Sequence, residues 1–409
     1  MQSENYQSID LTYLAFIFRS LFILAIPNLS QDFYRFIWDG RMILEGLNPY
    51  LYTVESFISK GNLPVNQAQE LYDGMGKLNA GHFSNYPPVN QFCFFLASLF
   101  GSTSILTSVI GMRLLIIAAD FGTLYFGKKL LEAYQLPSKN IFWYILNPFI
   151  IIELTGNLHF EGVMIFFLIW SLYLLHKNKW IYTAVILALS ISVKLIPLMF
   201  LPLFFQKFVT EKESLIFNFS KLIMFYIIVL GSIIVLFLPF YNGNLVNNYF
   251  ETVSLWFQNF EFNASLYYIA RSIGYMFRGY NEIAIIGKLM SVAVIVFVLY
   301  RSFMKDNKTL PKLITNMLLV LAFYYFTATT VHPWYIAMLL ILSVFTKYKF
   351  PLAWSFVIVL SYLGYLGINK AEKSENLYII ALEYSIVYGV FIWDILKRYQ
   401  NKKHLIYET

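Results

Sequence analysis

Cysteine and charged residues are scarce in this sequence. Only one of the 409 residues is a cysteine, Cys93, so the chain forms no intramolecular disulfide and has no metal site built from several cysteines. Charged residues make up 13% of the chain, against about 25% in an average soluble protein, which excludes a soluble enzyme. Glycine-rich loops that bind nucleotide phosphates are also absent. Their absence argues against an enzyme that uses ATP or a nucleotide sugar.

Apolar residues are abundant where charged residues are scarce. They account for 58% of the sequence and recur in long runs such as Leu222–Phe240 and Ile285–Phe303. A helix needs about 20 apolar residues to cross a membrane. The pattern predicts an all-α fold, a polytopic integral membrane helical bundle with about 11–13 transmembrane helices. Because no repeat of fixed period and no soluble domain interrupts the runs, we expect one domain over residues 1–409.

The placement of the basic residues predicts orientation. Thirty Lys and Arg residues against 23 Asp and Glu give a net charge of +7, and the basic residues gather in short loops between apolar runs. Such loops are typically cytoplasmic, so the positive charge needs no nucleic-acid partner to explain it. Two longer loops, residues 29–88 and 241–279, are then expected on the outer side, where long loops often carry function.

The first outer loop contains a charged motif. Asp32, Arg35 and Asp39 are three and four residues apart, which places them on one face of a helix. Ser30 is a suitable N-cap and Gly46 a suitable stop, so the pattern predicts a short interfacial helix over 31–45. Two interpretations stay open: a salt-bridged surface helix without a catalytic role, or part of an active site.

The second outer loop mixes aromatic and polar side chains, including Trp256, Asn263, Tyr267 and Arg271. Such a mixture suits sugars, because a sugar has C–H faces for stacking and hydroxyl groups for hydrogen bonds. The alternative is an aromatic belt at the bilayer interface, which also favours Trp and Tyr.

Several charged residues lie within or beside apolar runs, where a charge is costly unless it faces a cavity or a partner. His159 with Glu161, and His332 before Pro333, begin helices at the predicted outer side, and Lys194 stands at a predicted break near Pro197. His159 and Glu161 are two residues apart and do not share a helical face. No metal site is therefore predicted, although one divalent cation held by carboxylates stays an open alternative.

Several short motifs resemble those of the C-type glycosyltransferase superfamily (GT-C), whose members take a sugar from a polyprenyl-phosphate carrier. The closest likeness is to bacterial phosphatidylinositol-mannoside-type mannosyltransferases. The motifs that carry the resemblance, in chain order, are Asp32–Gly40 with Asn48–Tyr50, Tyr86–Gln91, Arg113 with Asp120, Asn147–Pro148 with Glu153 and Asn157–Glu161, Val193–Pro197, Phe262–Tyr267 and His332–Tyr335. The chain has Gln31 before Asp32 where many relatives have two adjacent acidic residues, which makes a metal-bridged carboxylate pair less expected.

The resemblance implies an integral membrane glycosyltransferase of the bacterial inner membrane, with its active site facing the periplasm. It would move a sugar, expected to be mannose, from a polyprenyl-phosphate donor to a hydroxyl of a lipid-, glycan- or protein-linked acceptor, with inversion and without a cofactor. The alternative function is a transporter or flippase for a polar or lipid-linked glycan.

The same resemblance and the chemistry of the residues assign expected roles. Asp32 is the candidate general base, and Asp39 is the reserve. The donor phosphate is expected to bind Lys194, His332, Arg271 and His159. The sugar and the acceptor are expected to contact Arg35, Trp38, Tyr86, Glu161, Trp256, Asn263, Tyr267, Trp334 and Tyr335.

Overall fold

The computed structural model describes residues 2–209, 215–258, 260–364 and 375–407. The chain divides into two compact units, Met1–Trp256 and Phe257–Thr409. The fold is that of an all-α polytopic membrane protein, as the apolar runs predict. Whether the whole chain acts as one domain stays a prediction.

The first unit contains the helices that begin before residue 257. Their bounds are α1 (Gln2–Ser20), α2 (Asp32–Leu44), α3 (Val54–Ile58), α4 (Ala68–Ala80), α5 (Pro88–Leu99), α6 (Ile105–Ala133), α7 (Phe142–Ile145), α8 (Pro148–Ile150), α9 (Glu161–His176), α10 (Trp180–Val193), α11 (Phe205–Phe208), α12 (Leu215–Phe237) and α13 (Leu245–Gln258). A π-helical turn, Ile151–Gly156, continues α8, and a 3-10 helix, Ile196–Phe204, precedes α11. Helices α2, α3 and α4 all fall within the predicted first outer loop.

The second unit is built mainly from six helices, α14 (Leu266–Arg278), α15 (Ile283–Phe303), α16 (Leu310–Thr327), α17 (Ile336–Val344), α18 (Phe350–Val357) and α19 (Leu377–Tyr407). Every residue of α17 is buried, because this helix is apolar on all sides and its neighbours α16 and α18 pack against it. The predicted second outer loop, 241–279, contains α13 and α14.

Length and composition identify the membrane-spanning helices. Among the described residues, five helices are long and apolar enough to cross a bilayer, namely Ile105–Ala133, Asn218–Phe240, Ile283–Phe303, Leu310–Thr327 and Leu377–Gln400. Shorter apolar helices of 10–17 residues accompany them. Only 11% of the apolar window in Ile283–Phe303 is buried, as expected of a helix that contacts lipid. The number of crossings, about 11–13, stays a prediction.

Two close contacts fix the helices of the first unit. The Arg19 Nε atom on α1 lies 2.7 Å from the Asp120 carboxylate on α6, and both side chains are fully buried. On α2, a Cβ atom added at Gly40 would lie 2.3 Å from the carbonyl oxygen of Phe94. Helix α2 therefore lies so close to α5 that only glycine fits at this position.

Candidate active site

Helix α2 contributes Asp32, its first residue, to the candidate site. The N-cap is Gln31, whose side chain makes no capping bond, and the Asp32 N–H donates to Ser30 Oγ at 3.3 Å. The helix ends at Leu44, and Gly46 follows with a left-handed φ of 74°. The predicted helix is thus confirmed, although the N-cap is one residue later than Ser30. A carboxylate in the first turn also suits the positive end of the helix dipole.

Asp32 is partly exposed and lies in a charged environment. Asn79 Nδ2 donates to its Oδ1 at 3.4 Å, and the charges that act on it belong to Lys194 and Glu161. Burial raises the pKa of Asp32 from 3.8 to about 6, the Lys194 ammonium lowers it, the Glu161 carboxylate raises it and the Asn79 hydrogen bond lowers it. At neutral pH Asp32 is therefore mostly ionised, and it holds a proton more tightly than an ordinary aspartate does.

Lys194 lies at a break between two helical segments. Helix α10 ends at Val193, Lys194 has an extended backbone with φ −147° and ψ 143°, and Pro197 lies in the first turn of the 3-10 helix that follows. Pro197 has no N–H and so cannot continue the hydrogen bonding of α10. The predicted break is confirmed. The Lys194 ammonium forms an ion pair with the Glu161 carboxylate, and 18% of the lysine side chain is exposed.

Glu161 begins α9 after a second break. The segment Pro148–Gly156 and helix α9 are bent by 114° relative to each other, and Leu158 between them has a left-handed φ of 63°. Glu161 and His159 are both buried at this bend. The predicted helix start at Glu161 is confirmed, and the first turn of α9 stabilises a carboxylate there.

Arg113 of α6 holds this bend in place. Its guanidinium donates to the carbonyl oxygens of Thr155 and Gly156, at 2.8 and 3.0 Å, and to that of Ile23 at 2.8 Å. The carbonyl groups at the end of a helical segment lack partners within the helix. A buried guanidinium that donates to three carbonyls therefore fixes the backbone just before Glu161.

Asp39 differs from Asp32 in its surroundings, although both belong to α2. Its buried carboxylate accepts bonds from Arg35 Nε at 2.8 Å, Ser84 Oγ at 2.5 Å and Gln91 Nε2 at 2.9 Å. Arg35 in turn donates to the carbonyl oxygen of Asn79. The predicted pairing of charges on one face of α2 is confirmed for Arg35 and Asp39. This network ties α2 to the segment that follows α4.

Trp38 and Tyr86 are packed within the first unit. Trp38 is fully buried, and its indole N–H donates to Met42 Sδ at 3.0 Å. The half-buried Tyr86 ring lies edge-on to Phe36 at 5.1 Å, and its carbonyl accepts a bond from the Tyr50 hydroxyl at 2.6 Å. A role for either ring in binding sugar stays a prediction.

A second group of candidate residues lies in the second unit. A bridge between Phe262 and Thr330 brings two chain segments together. The His332 ring stacks on Trp334 at a centroid distance of 4.6 Å and an angle of 4°, and Tyr335 lies edge-on to it at 5.4 Å. The bridge and these rings form one aromatic cluster around His332.

Asn263 of the same unit is held by two glutamates. Its backbone N–H donates to the Glu375 carboxylate at 2.9 Å, and its side chain donates to Glu383 at 3.2 Å, where Trp354 also donates at 2.9 Å. Burial raises the pKa of Glu375. The sequence interpretation missed both glutamates. Of the two, only Glu383 could have been singled out from the sequence, because it is an acidic residue inside an apolar run.

The charge of Arg271 is balanced within its own unit. Its guanidinium forms an ion pair with Glu261 and lies 4.3 Å from the centre of the Tyr268 ring. The buried Tyr267 hydroxyl also donates to Glu261, at 2.8 Å. The side chain of Trp256 lies outside the described residues. The predicted phosphate role of Arg271 and sugar roles of Tyr267 and Trp256 stay predictions.

Within the described ranges, His, Cys, Asp and Glu side chains nowhere cluster in threes as a metal site requires. The expectation of a reaction without a cofactor is not tested by this observation and stays a prediction.

The first half of the chain matches a known family. Residues 10–209 match the sequence model of the MptA_B family, described as alpha-(1->6)-mannopyranosyltransferase, N-terminal domain. This stretch contains Asp32, Glu161 and Lys194. No curated protein matches the chain. The family match confirms the mannosyltransferase type expected from the motifs and supports an enzyme over the transporter alternative.

Proposed function

We propose that this chain, whose residues 10–209 match a mannosyltransferase family, moves mannose from a polyprenyl-phosphate carrier to a hydroxyl of a lipid- or glycan-linked acceptor. Asp32 is the general base, and the reaction takes place on the non-cytoplasmic side, which is the periplasmic face of a bacterial inner membrane. A membrane enzyme suits this donor, because the isoprenoid tail stays in the bilayer while the sugar reaches the polar surface.

The observation that carries the proposal is the contrast between the two aspartates of α2. Asp39 is buried, and its carboxylate oxygens are already occupied by hydrogen bonds from Arg35, Ser84 and Gln91. Asp32 is partly exposed, has one weak bond from Asn79, and has a pKa raised to about 6. A general base works best when its pKa is near the working pH.

The transfer step follows from these groups. The acceptor oxygen forms a bond to the anomeric carbon, and its proton passes to the Asp32 carboxylate. The bond between that carbon and the phosphate oxygen breaks, and polyprenyl phosphate leaves with the electron pair. Lys194 stabilises the negative charge of the phosphate. Direct displacement inverts the anomeric centre. If the product has the α-(1→6) linkage of the family's name, the donor is a β-linked mannosyl phosphate.

The remaining assignments extend this step. His159 is proposed as a further contact of the donor phosphate, and the phosphate roles of Arg271 and His332 stay predictions from the sequence. For the sugar and the acceptor, we propose the same contact residues that the sequence predicts. With Lys194 supplying positive charge, we propose that transfer needs no metal ion.

The base assignment is tested in proteoliposomes with a labelled polyprenyl-phosphate mannose and an alkyl mannoside acceptor. Asp32→Asn should reduce kcat by about 100- to 10,000-fold, the usual contribution of a general base. Asp73→Asn is the matched control, because Asp73 is an exposed aspartate on α4 and its loss should leave kcat within about twofold. If Asp32→Asn is as active as the control, Asp32 is not the base.

Stereochemistry provides an independent check. NMR of the first product should give an α-mannoside from a β-linked donor. An α-mannoside formed from an α-linked donor would contradict direct displacement.

A further inference from the structure

Asp32, Lys194 and Glu161 are the charged groups of the candidate site. The proposed step gives a role to Asp32 and Lys194 but none to Glu161. Lys194 forms an ion pair with Glu161 and also acts electrostatically on Asp32, so one ammonium serves two carboxylates. Asp32 is partly exposed, whereas the Glu161 side chain is 1% exposed. Within the described part of the chain, the buried Oε2 atom of Glu161 has no hydrogen-bond partner. One of the two carboxylate oxygens of Glu161 is thus buried and can still accept a hydrogen bond.

We propose that Glu161 is a positioning residue for the transfer reaction: its buried carboxylate holds the Lys194 ammonium at Asp32 and sets the charge around that base. This inference rests on the proposed function, and it concerns a residue for which the sequence predicted only contact with sugar or acceptor.

The backbone gives Glu161 a fixed position. Arg113 bonds the carbonyl oxygens of Thr155 and Gly156 just before the bend, and Glu161 is the first residue of the buried helix α9. Lysine has a flexible side chain with about 2 kcal/mol of rotamer entropy. An anchor that does not move can therefore hold an ammonium that otherwise samples many positions. Catalytic groups need such support, because a misplacement of about 1 Å can cost about 100-fold in rate.

The other charges around Asp32 have different partners or are exposed. Helix α2 packs on α4, α5 and α6. On α4, Glu70 and Asp73 accept bonds from Gln67 and Gln69, and Lys77 is exposed. On α6, Arg113 donates to carbonyls and Asp120 pairs with Arg19. On α2 itself, Arg35 and Asp39 pair with each other. The charges that act on Asp32 come from Lys194 and Glu161.

The test is Glu161→Gln, which removes the charge and keeps the size. The Glu161 charge raises the pKa of Asp32 and the Lys194 ammonium lowers it. Without the Glu161 charge, Asp32 is the one carboxylate of the pair left to Lys194, so both effects move the acid limb of kcat/KM to lower pH. Because the amide holds the ammonium less firmly, kcat should fall by about 10- to 100-fold, with a smaller change in KM for the donor. Glu161→Asp keeps the charge, so its acid limb should stay at the wild-type pH while kcat falls less.

Glu45→Gln is the matched control. Glu45 is an exposed glutamate at the end of α2, and the change removes the same charge from the same helix as Asp32. We expect its acid limb and kcat to equal those of the wild type.

A second measurement separates this inference from the base assignment. Infrared titration of the carboxyl band lost in Asp32→Asn reports the protonation of Asp32 without any activity. We expect this band to titrate at lower pH in Glu161→Gln than in the wild type. If the titration and the acid limb are unchanged, the inference is wrong. If Asp32→Asn is active, the base assignment fails, and the infrared titration still decides the role of Glu161.

Discussion

Replacing Asp32 by Asn should abolish transfer and at the same time stabilise the protein. Asp32 has a pKa of about 6 in the folded chain, against an ordinary value of 3.8. That difference corresponds to about 3 kcal/mol against the ionised carboxylate. Solvent screens a partly exposed group, so about 3 kcal/mol is the upper figure. The asparagine variant never ionises and does not bear this cost.

The sign of the pH dependence follows from the direction of the pKa change. An acid with a raised pKa binds its proton more tightly in the folded state than in the unfolded state. Stability is therefore lost as the pH rises from about 4 to about 6, and the full cost is present above pH 6. The gain from Asp32→Asn should be largest at pH 7.5, about half as large at pH 5, about a fifth as large at pH 4, and absent near pH 3.

The same substitution at Asp39 should have the opposite effect on stability. Asp39 is buried and accepts bonds from Arg35, Ser84 and Gln91. Asp39→Asn leaves the buried Arg35 guanidinium without its counter-charge, which typically costs about 3–5 kcal/mol. The two substitutions thus lie seven residues apart on one helix and should change the stability in opposite directions.

Unfolding by SDS in mixed micelles, followed by circular dichroism at pH 7.5 and pH 5, measures these differences. Transfer activity is assayed on the same preparations. If Asp32→Asn lost stability as Asp39→Asn does, or gained equally at both pH values, the reasoning about burial and charge at Asp32 would be refuted.

Four further outcomes are expected. In the wild type, kcat/KM should fall about tenfold per pH unit below about 6 as Asp32 takes up a proton, and a limb near pH 4 would contradict this. Asp120→Ala should cost about 3–5 kcal/mol in SDS unfolding, because it leaves the buried Arg19 guanidinium without its counter-charge. Gly40→Ala should lower the free energy of unfolding by about 1–3 kcal/mol, because the alanine Cβ would clash with the Phe94 carbonyl. A variant as stable as the wild type would show that α2 and α5 can move apart at little cost in free energy. Dialysis against EDTA should leave transfer unchanged, and loss restored by Mg²⁺ or Mn²⁺ would show a metal requirement.

Local sequence signals predicted the elements that carry the site. The charged and apolar spacing around Asp32 predicted α2, and Pro197 predicted the break at Lys194, because proline acts on its own backbone. The start of α9 at Glu161 was predicted in the same way. These features depend on neighbours within a few residues, which the sequence displays directly.

Pairings between distant residues were harder to predict. Nothing in the sequence distinguished Asp32 from Asp39 by environment, because Ser84 and Gln91 reach Asp39 from 45 and 52 residues away. The hydrogen bond from Asn79 to Asp32 had no signal at all. In the second unit, the bonds from Asn263 to Glu375 and Glu383 span 112 and 120 residues.

Composition and apolar runs were enough to predict a helical membrane protein, and the short motifs were enough to indicate a resemblance to mannosyltransferases, which the family match of residues 10–209 supports. Both are properties of the chain and not of its packing. Folding was needed to distinguish the acidic residue that is saturated by partners from the one that shares Lys194 with Glu161. A carboxylate's burial, hydrogen bonds and pKa depend on groups brought together by folding, and the strength of a charge interaction in a low-dielectric environment depends on distance in space.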